Sequence, residues 1–366
     1  MGLIVGASLN WIGTIIYNWL FGWIKTWGIT ETALIGTFGV TVIMFSLFLK
    51  LLTSPLDLWQ KNMGRKNARV MKLMKPELEA LQRTCGSNQQ LYLQKQREIY
   101  KKYNYSMGKA CLPMIVTMVV FIVVISGFSS AVKYHNEIEY TKLRDMYLET
   151  RDRIIKDAEP EIEAIVDPVV KTARQKEVGR MANAAASDAV LASYKPERFL
   201  FTQNIFISDN WSTPVPTYED FQSKSMGKMG IEGIDQKEYN AVMGSVLRKY
   251  NYNDKGKKVW NGFLILPILA MAMNFISSKL IKPADQPQVP GQTDEQRKMA
   301  EQQQKMMAFI MPLIFGVFTL FYSTAFTVYF LISNIITLGF NLIYNIVAKK
   351  KDAEAEDRML SMTIKK

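Results

Sequence analysis

Residues 306–348 carry no charged side chain, and 43 such positions make one helix of about 64 Å at ~1.5 Å per residue, roughly twice the ~30 Å hydrocarbon core of a bilayer. The stretch therefore has to fold back on itself. Ser323-Thr324-Ala325 is its weakest apolar point, which predicts two spans, at about 306–322 and 326–348. Further charge-free runs cover 1–24, 32–49, 110–132 and 259–278, and runs of this length read as transmembrane candidates. The chain is 48% hydrophobic and carries a net charge of +12, yet its mean hydropathy is -0.02, so apolar and charged residues are segregated into blocks. The expected fold class is an all-α polytopic membrane protein with five transmembrane helices, a cytoplasmic helical hairpin and an enlarged, mainly helical extracellular insert.

Charge orients these spans. Residues 57–109 hold twelve Lys/Arg against four Asp/Glu, whereas 133–258 hold twenty of each. The positive-inside rule places the first segment in the cytoplasm and the second outside, with Lys349, Lys350 and Lys351 closing the last span on the cytoplasmic side. The expected division runs as an N-terminal helix at 1–28, a first span at 29–56, a basic hairpin at 57–109 and a second span at 110–132. An extracellular insert at 133–258, a third span at 259–281, a cytoplasmic link at 282–305, spans four and five within 306–348 and a basic tail at 349–366 complete it. The expected location is a plasma membrane, with the amino terminus outside and the carboxyl terminus in the cytoplasm.

Three readings are open for the first 24 residues, where Trp11, Trp19 and Trp23 alternate with Asn10, Thr14 and Asn18. Tryptophan favours the membrane interface, so an interfacial helix on the outer leaflet is expected ahead of an extra span or an uncleaved signal. No Lys or Arg precedes the apolar stretch, so a signal-peptide n-region is not expected. In the insert, 137–182 shows helical spacing and 205–260 is looser and Gly-, Asn- and Ser-rich, which predicts helices followed by loops.

The residue inventory argues against an enzyme. His135 is the single histidine, no Asp lies inside a span, and no GxxxxGKS/T loop occurs, so zinc clusters, Ser/His pairs, aspartyl dyads and nucleotide loops are all unsupported. No catalytic residue, metal or cofactor is expected. The two cysteines, Cys85 and Cys111, fall in the hairpin and at the start of the second span, where no external disulfide is available.

Lys50 is the only charged residue in the twenty-five positions between Glu31 and Asp57. An ionisable group in a span is a functional-site hypothesis by default, because burying it costs about 2.5–3.5 kcal/mol on insertion scales. Snorkelling to the membrane surface is the alternative at this depth. In the hairpin, Met71, Met74, Leu78 and Leu81 form one apolar seam, Cys85-Gly86-Ser87-Asn88 a turn and 89–103 a second helix, while Pro76 either opens a new helix or kinks a continuous one. Lys61, Arg65, Lys66, Arg69, Lys72 and Lys75 make a basic face that serves either as a positive-inside signal and lipid contact or as a dock for an acidic or RNA-rich partner.

These motifs come in a recognisable order. Lys50 stands five positions before Pro55-Leu56, then come the charged hairpin, Asn104 and Cys111-Leu112-Pro113, then Leu266-Pro267-Ile268-Leu269, Met306-Met307 with Met311-Pro312, and Tyr329-Phe330 with Ser333-Asn334. Over roughly 30–131 and 259–348 the chain resembles the YidC-type membrane protein insertases, a family with mitochondrial and chloroplast relatives. The stretch Arg198-Phe199-Leu200-Phe201 to Asp209-Asn210-Trp211 resembles that family's external link, with extra sequence on both sides. The chain also departs from the family pattern, with Lys50 in place of arginine, Thr117-Met118-Val119 in place of Gln-Met-Pro, and Ser323-Thr324-Ala325 in place of Pro-Ser-Gly. A lysine lacks the planar fork of arginine, so a cationic groove built on it depends on water around the ammonium group.

The resemblance implies an insertase that takes nascent membrane proteins from the cytoplasm into the bilayer through a hydrophilic groove. Lys50 would supply the groove charge, with Thr53, Thr117, Ser277 and Asn334 as polar neighbours. Partners would be nascent chains, the ribosome, a general translocation channel and anionic lipids, without sequence-specific nucleic-acid recognition and with a monomer as the expected state. A solute transporter or channel using the same cavity, and a membrane anchor for the insert, are the competing classes. Against the transporter, no matched pair of Gly/Pro-broken helices appears.

Overall fold

The computed structural model describes residues 8–28, 34–85, 89–103, 105, 107–225, 227–280, 310 and 313–364. The expected cytoplasmic link 282–305, the turn residues 86–88 and Met306, Met307, Met311 and Pro312 lie outside the described residues. Among those described the structure is helical, with isolated β-bridges in place of a sheet. The chain forms two compact units. Unit one comprises Met1–Phe45, Val123–Ile268 and Val317–Tyr329, and unit two comprises Ser46–Ile122, Leu269–Gly316 and Phe330–Lys366.

Helix α1 consists of α-helical turns at Trp11–Thr14 and Gly22–Thr26 on either side of π-helical Ile15–Phe21. Asn10 starts it, its side-chain oxygen accepting from the Gly13 N–H at 2.7 Å. Ile12, Ile16, Phe21 and Ile24 are buried and Trp11, Trp19, Trp23 and Trp27 are exposed, so one face packs within unit one while the tryptophans stand out from it. Asn10 also ties α1 to the second long apolar helix through Ser126 Oγ and Ser130 Oγ, at 3.0 and 2.9 Å.

Helix α2 (Thr37–Cys85) runs through Pro55 and Pro76 without ending, so the first predicted span and the first arm of the hairpin are one helix. Proline at 55 has no N–H for the Leu51 carbonyl one turn earlier, and the Ser54 hydroxyl donates to that carbonyl at 2.8 Å instead. Helix α3 (Gln89–Lys102) returns along α2. Met74 and Leu78 are buried against Ile99, Tyr100, Tyr103 and Tyr105, and Leu81 and Cys85 against Tyr92. Glu77 of α2 accepts hydrogen bonds from Lys102 Nζ and Tyr103 Oη, both at 2.6 Å, and the bond from Lys102 holds its carboxyl below the usual carboxylate range.

Helix α4 (Met107–Glu163) carries the second apolar stretch and continues unbroken into the insert. Helix α5 (Pro168–Ser193) starts on Asp167, which caps the N–H groups of Val169 and Val170, with Pro168 in the first turn where no N–H is missed. Short α6 (Tyr218–Gln222) is closed by a capping box between Thr217 and Asp220. Helix α7 (Gln236–Asn251) lies on α5, burying Tyr239, Val242, Met243 and Val246. The stripe on α5 is Val178, Ala182, Ala186 and Val190, spaced by four, and its small residues let the two backbones approach. Ala186→Leu should therefore cost about 1–3 kcal/mol by overpacking. A melting curve of the detergent-solubilised protein tests this, and an unchanged midpoint would show that the contact does not depend on small side chains.

Among the described residues, three helices are long and apolar enough to cross a membrane: Thr37–Met63, Met118–Glu163 and Thr324–Val347. Helix α8 (Ile265–Leu280) is apolar but shorter, as is α9 over 313–321. A break at 322–323 separates α9 from α10 (Thr324–Ile364). In the most apolar stretch of each of the three long helices, only 28–33% of the residues are buried inside the protein, which leaves a large apolar surface available to lipid.

Residues 197–210 gather the helix ends of unit one. Gly36 and Phe38, at the start of α2, donate to the Arg198 carbonyl at 2.7 Å and to Glu197 Oε2 at 3.1 Å. Asp209 accepts from the N–H groups of Leu264 and Leu266 at 2.9 and 3.0 Å, holding Leu264 in a left-handed conformation (φ 61°) at the start of α8. Burial pushes the Asp209 carboxyl up, and those two N–H groups oppose the shift. Asn210 Nδ2 donates to the Leu320 carbonyl at 2.6 Å, and the Ile207 carbonyl takes both the N–H and the hydroxyl of Thr324, at 2.9 and 2.7 Å. Asn261 stitches the loop to itself through Asn204, Ile207 and Ser208.

Candidate functional site

Lys50, Thr53, Thr117, Ser277 and Asn334 all fall in unit two. Helical geometry puts Lys50, Thr53, Ser54 and Asp57 on one side of α2 and Phe48, Leu51 and Leu52 on the other. The leucines and the phenylalanine are exposed, at 56–67%, whereas the Lys50 side chain is 13% exposed. The charge is thus turned away from the surface that lipid would cover. Its Nζ lies 2.6 Å from Asp57 Oδ2, two turns further along the same helix. The side chain does extend toward the C-terminal end of α2, as snorkelling requires, but it ends on a carboxylate.

Thr53 Oγ1 donates to the Lys50 carbonyl at 3.3 Å and so lies beside the pair. Across unit two, the buried Ser277 hydroxyl of α8 donates to the Asn334 carbonyl of α10 at 3.4 Å, while Asn334 Nδ2 donates to the Phe330 carbonyl at 2.9 Å. Two of the expected polar residues are therefore brought together. Thr117 is helical within α4, and its side chain lies outside the described ones. One turn-pair beyond Asn334 on the same face of α10 stands Asn341, buried, with neither amide atom hydrogen-bonded among the described residues. A buried amide of this kind marks a place suited to water or a polar ligand.

The basic face divides. Tyr344 of α10 donates its hydroxyl to Asn62 Oδ1 at 2.8 Å, with Lys61 Nζ 4.9 Å and Arg65 Cζ 5.6 Å from its ring centre. Cation–π contacts of this geometry are worth about 0.5–1 kcal/mol at exposed sites. Lys61 and Arg65 thus anchor α2 to α10, whereas Lys66 is exposed and free to meet solvent or lipid headgroups. Arg69, Lys72 and Lys75 continue the helix, and their side chains lie outside the described ones.

The model of the family described as 60Kd inner membrane protein matches residues 30–207 and 216–352, which include Lys50, Thr53, Thr117, Ser277 and Asn334. The chain belongs to that family. Among relatives, a protein of Oceanobacillus iheyensis is 30% identical over 115 residues, 29% of this chain and 43% of its own length. One of Fusobacterium nucleatum is 28% identical over 103 residues, 28% of this chain and 48% of its own length. A third, of Leptospira interrogans, is 28% identical over 102 residues, 28% of this chain and 16% of its own length. Each of the three is named membrane protein insertase YidC. The chain spans less than half the length of these curated relatives.

Within this 60Kd inner membrane protein family member, sequence reasoning singles out Lys50 as a candidate but not the carboxylate that pairs with it. Asp57 lies just past the expected end of the first span at 56, yet its spacing of seven from Lys50 places both on one helical face because the helix continues through Pro55. Asn341 and Tyr344 carried no such signal, since a lone Asn or Tyr in an apolar run looks the same whether buried or exposed.

Proposed function

We propose that this chain is a membrane protein insertase, working through a hydrophilic groove in unit two that is open to the cytoplasm and to lipid. The observation that carries the reading is the half-buried polar stripe of Lys50, Thr53 and Asp57 on a helix whose opposite side exposes leucines. The names of the relatives support it. Five spans, the amino terminus outside and residues 133–258 outside are the topology that the charge distribution favours.

A substrate's short polar tail enters the groove, guided by the charge at Lys50 and hydrated by Thr53, Thr117, Ser277 and Asn334. Its apolar segment meanwhile moves into lipid. Polar groups then cross without meeting dry hydrocarbon, where each unsatisfied one costs several kcal/mol. Partitioning of the apolar segment supplies the free energy, so neither covalent chemistry nor a nucleotide is required. The hairpin of α2 and α3 receives the nascent chain or ribosome, with Lys66 as an exposed cation of its basic face.

Cysteine accessibility tests the groove directly. A cysteine at position 50, in a Cys85→Ser, Cys111→Ser background, should react with a water-soluble maleimide from the cytoplasmic side. Matched cysteines at Ile43 and at buried Phe45 should stay largely unreacted. Equal protection at all three positions would mean that the site is dry, and the groove would fall with that result.

A further inference from the structure

From the geometry of unit two we infer that Asp57 is the resident counter-ion of the groove, holding Lys50 until a charged group of the substrate exchanges with it, and so sets which tail charges the groove accepts. The inference rests on the insertase reading. Three features carry it: the 2.6 Å contact, the shielding of both side chains (13% and 25% exposed), and the location of both on one helix.

Because the pair is intrahelical, it persists without any movement of a neighbouring helix. An arriving anion therefore meets a neutral pair and not a bare cation. Exchange of one carboxylate for another on Lys50 conserves the number of ion pairs, which makes it easier than stripping a lysine of its partner where both side chains are partly shielded. The released Asp57 has a second cation one turn further on, at Lys61, whose ammonium group rests over the Tyr344 ring. A cationic tail finds the mirror-image opportunity at Asp57. A groove with this pair accepts tails of either sign, each at a discount to what a bare charge would offer.

The test uses the full-length protein in liposomes and three single-span substrates that differ only in a short tail carrying two aspartates, two serines or two lysines. Asp57→Asn should raise insertion of the aspartate tail about three- to fivefold relative to the serine tail and lower that of the lysine tail, as expected for losing one partly exposed ion-pair competitor. Lys50→Gln should do the reverse, with a gain on the lysine tail. If Asp57→Asn does not fold, Lys50→Gln decides alone: a gain on lysine tails supports the exchange, and none overturns it. Equal effects of either variant on all three tails would make the pair purely structural and overturn the inference while leaving the insertase reading intact. The serine tail inserting no better than into protein-free liposomes would instead remove that reading, and the inference with it.

Discussion

Asp209→Ala is expected to destabilise unit one by about 2–4 kcal/mol, because it leaves two backbone N–H groups at the start of α8 without acceptors, at roughly 1–3 kcal/mol each. The loss also releases Leu264 from its left-handed conformation, so the first turn of α8 should fray. Asp209→Asn keeps one acceptor oxygen and should lose about half as much. The measurement is the melting midpoint in detergent, read alongside protease cleavage within 197–264. An Asp209→Ala protein that melts with the wild type and resists cleavage would show that the α8 start is held by its other neighbours. Gly262 belongs to the same contact, since a Cβ there would run into the Asp209 carboxylate.

The second large effect concerns Lys50. Lys50→Glu sets a carboxylate against Asp57, and like charges brought together at a partly shielded site cost several kcal/mol. Insertion of model substrates should fall at least tenfold, whereas Lys50→Arg, which keeps the charge and can still reach Asp57, should stay within about threefold of wild type. Insertion assays on both variants, with expression levels matched, separate the possibilities. Equal loss in both would assign Lys50 a packing role and not an electrostatic one.

What was legible in the chain follows from periodicity and charge segregation. Blocks free of charge revealed a helical membrane protein, and a spacing of three and four exposed the seam of Met74, Leu78 and Leu81 that the structure buries. Ordered short motifs revealed the family. Other features depend on contacts remote in sequence and leave no local periodic trace. Asp209 meets Leu264, Tyr344 meets Asn62, and Glu197 meets Phe38 across 159 positions. Pro55 sits one residue before the expected end of the first span at 56, yet Ser54 satisfies the carbonyl it strands and the helix goes on. Lys50 stands out as a candidate because a charge among apolar residues is conspicuous, whereas its ion-pair partner Asp57 does not, because it stands where polar sequence resumes.

The gathering of helix ends by residues 197–210 also imposes an order on biosynthesis. The Ile207 and Ile205 carbonyls bond to Thr324 and Ala325, and the Asn210 amide to Leu320, all more than a hundred residues downstream. A chain emerging from its amino terminus has completed residues 205–210 with these groups still waiting for their partners. Unit one therefore matures only after residues 320–325 have been made, and until then protection of the 205–210 groups falls to water or to whatever chaperone attends the unfinished protein.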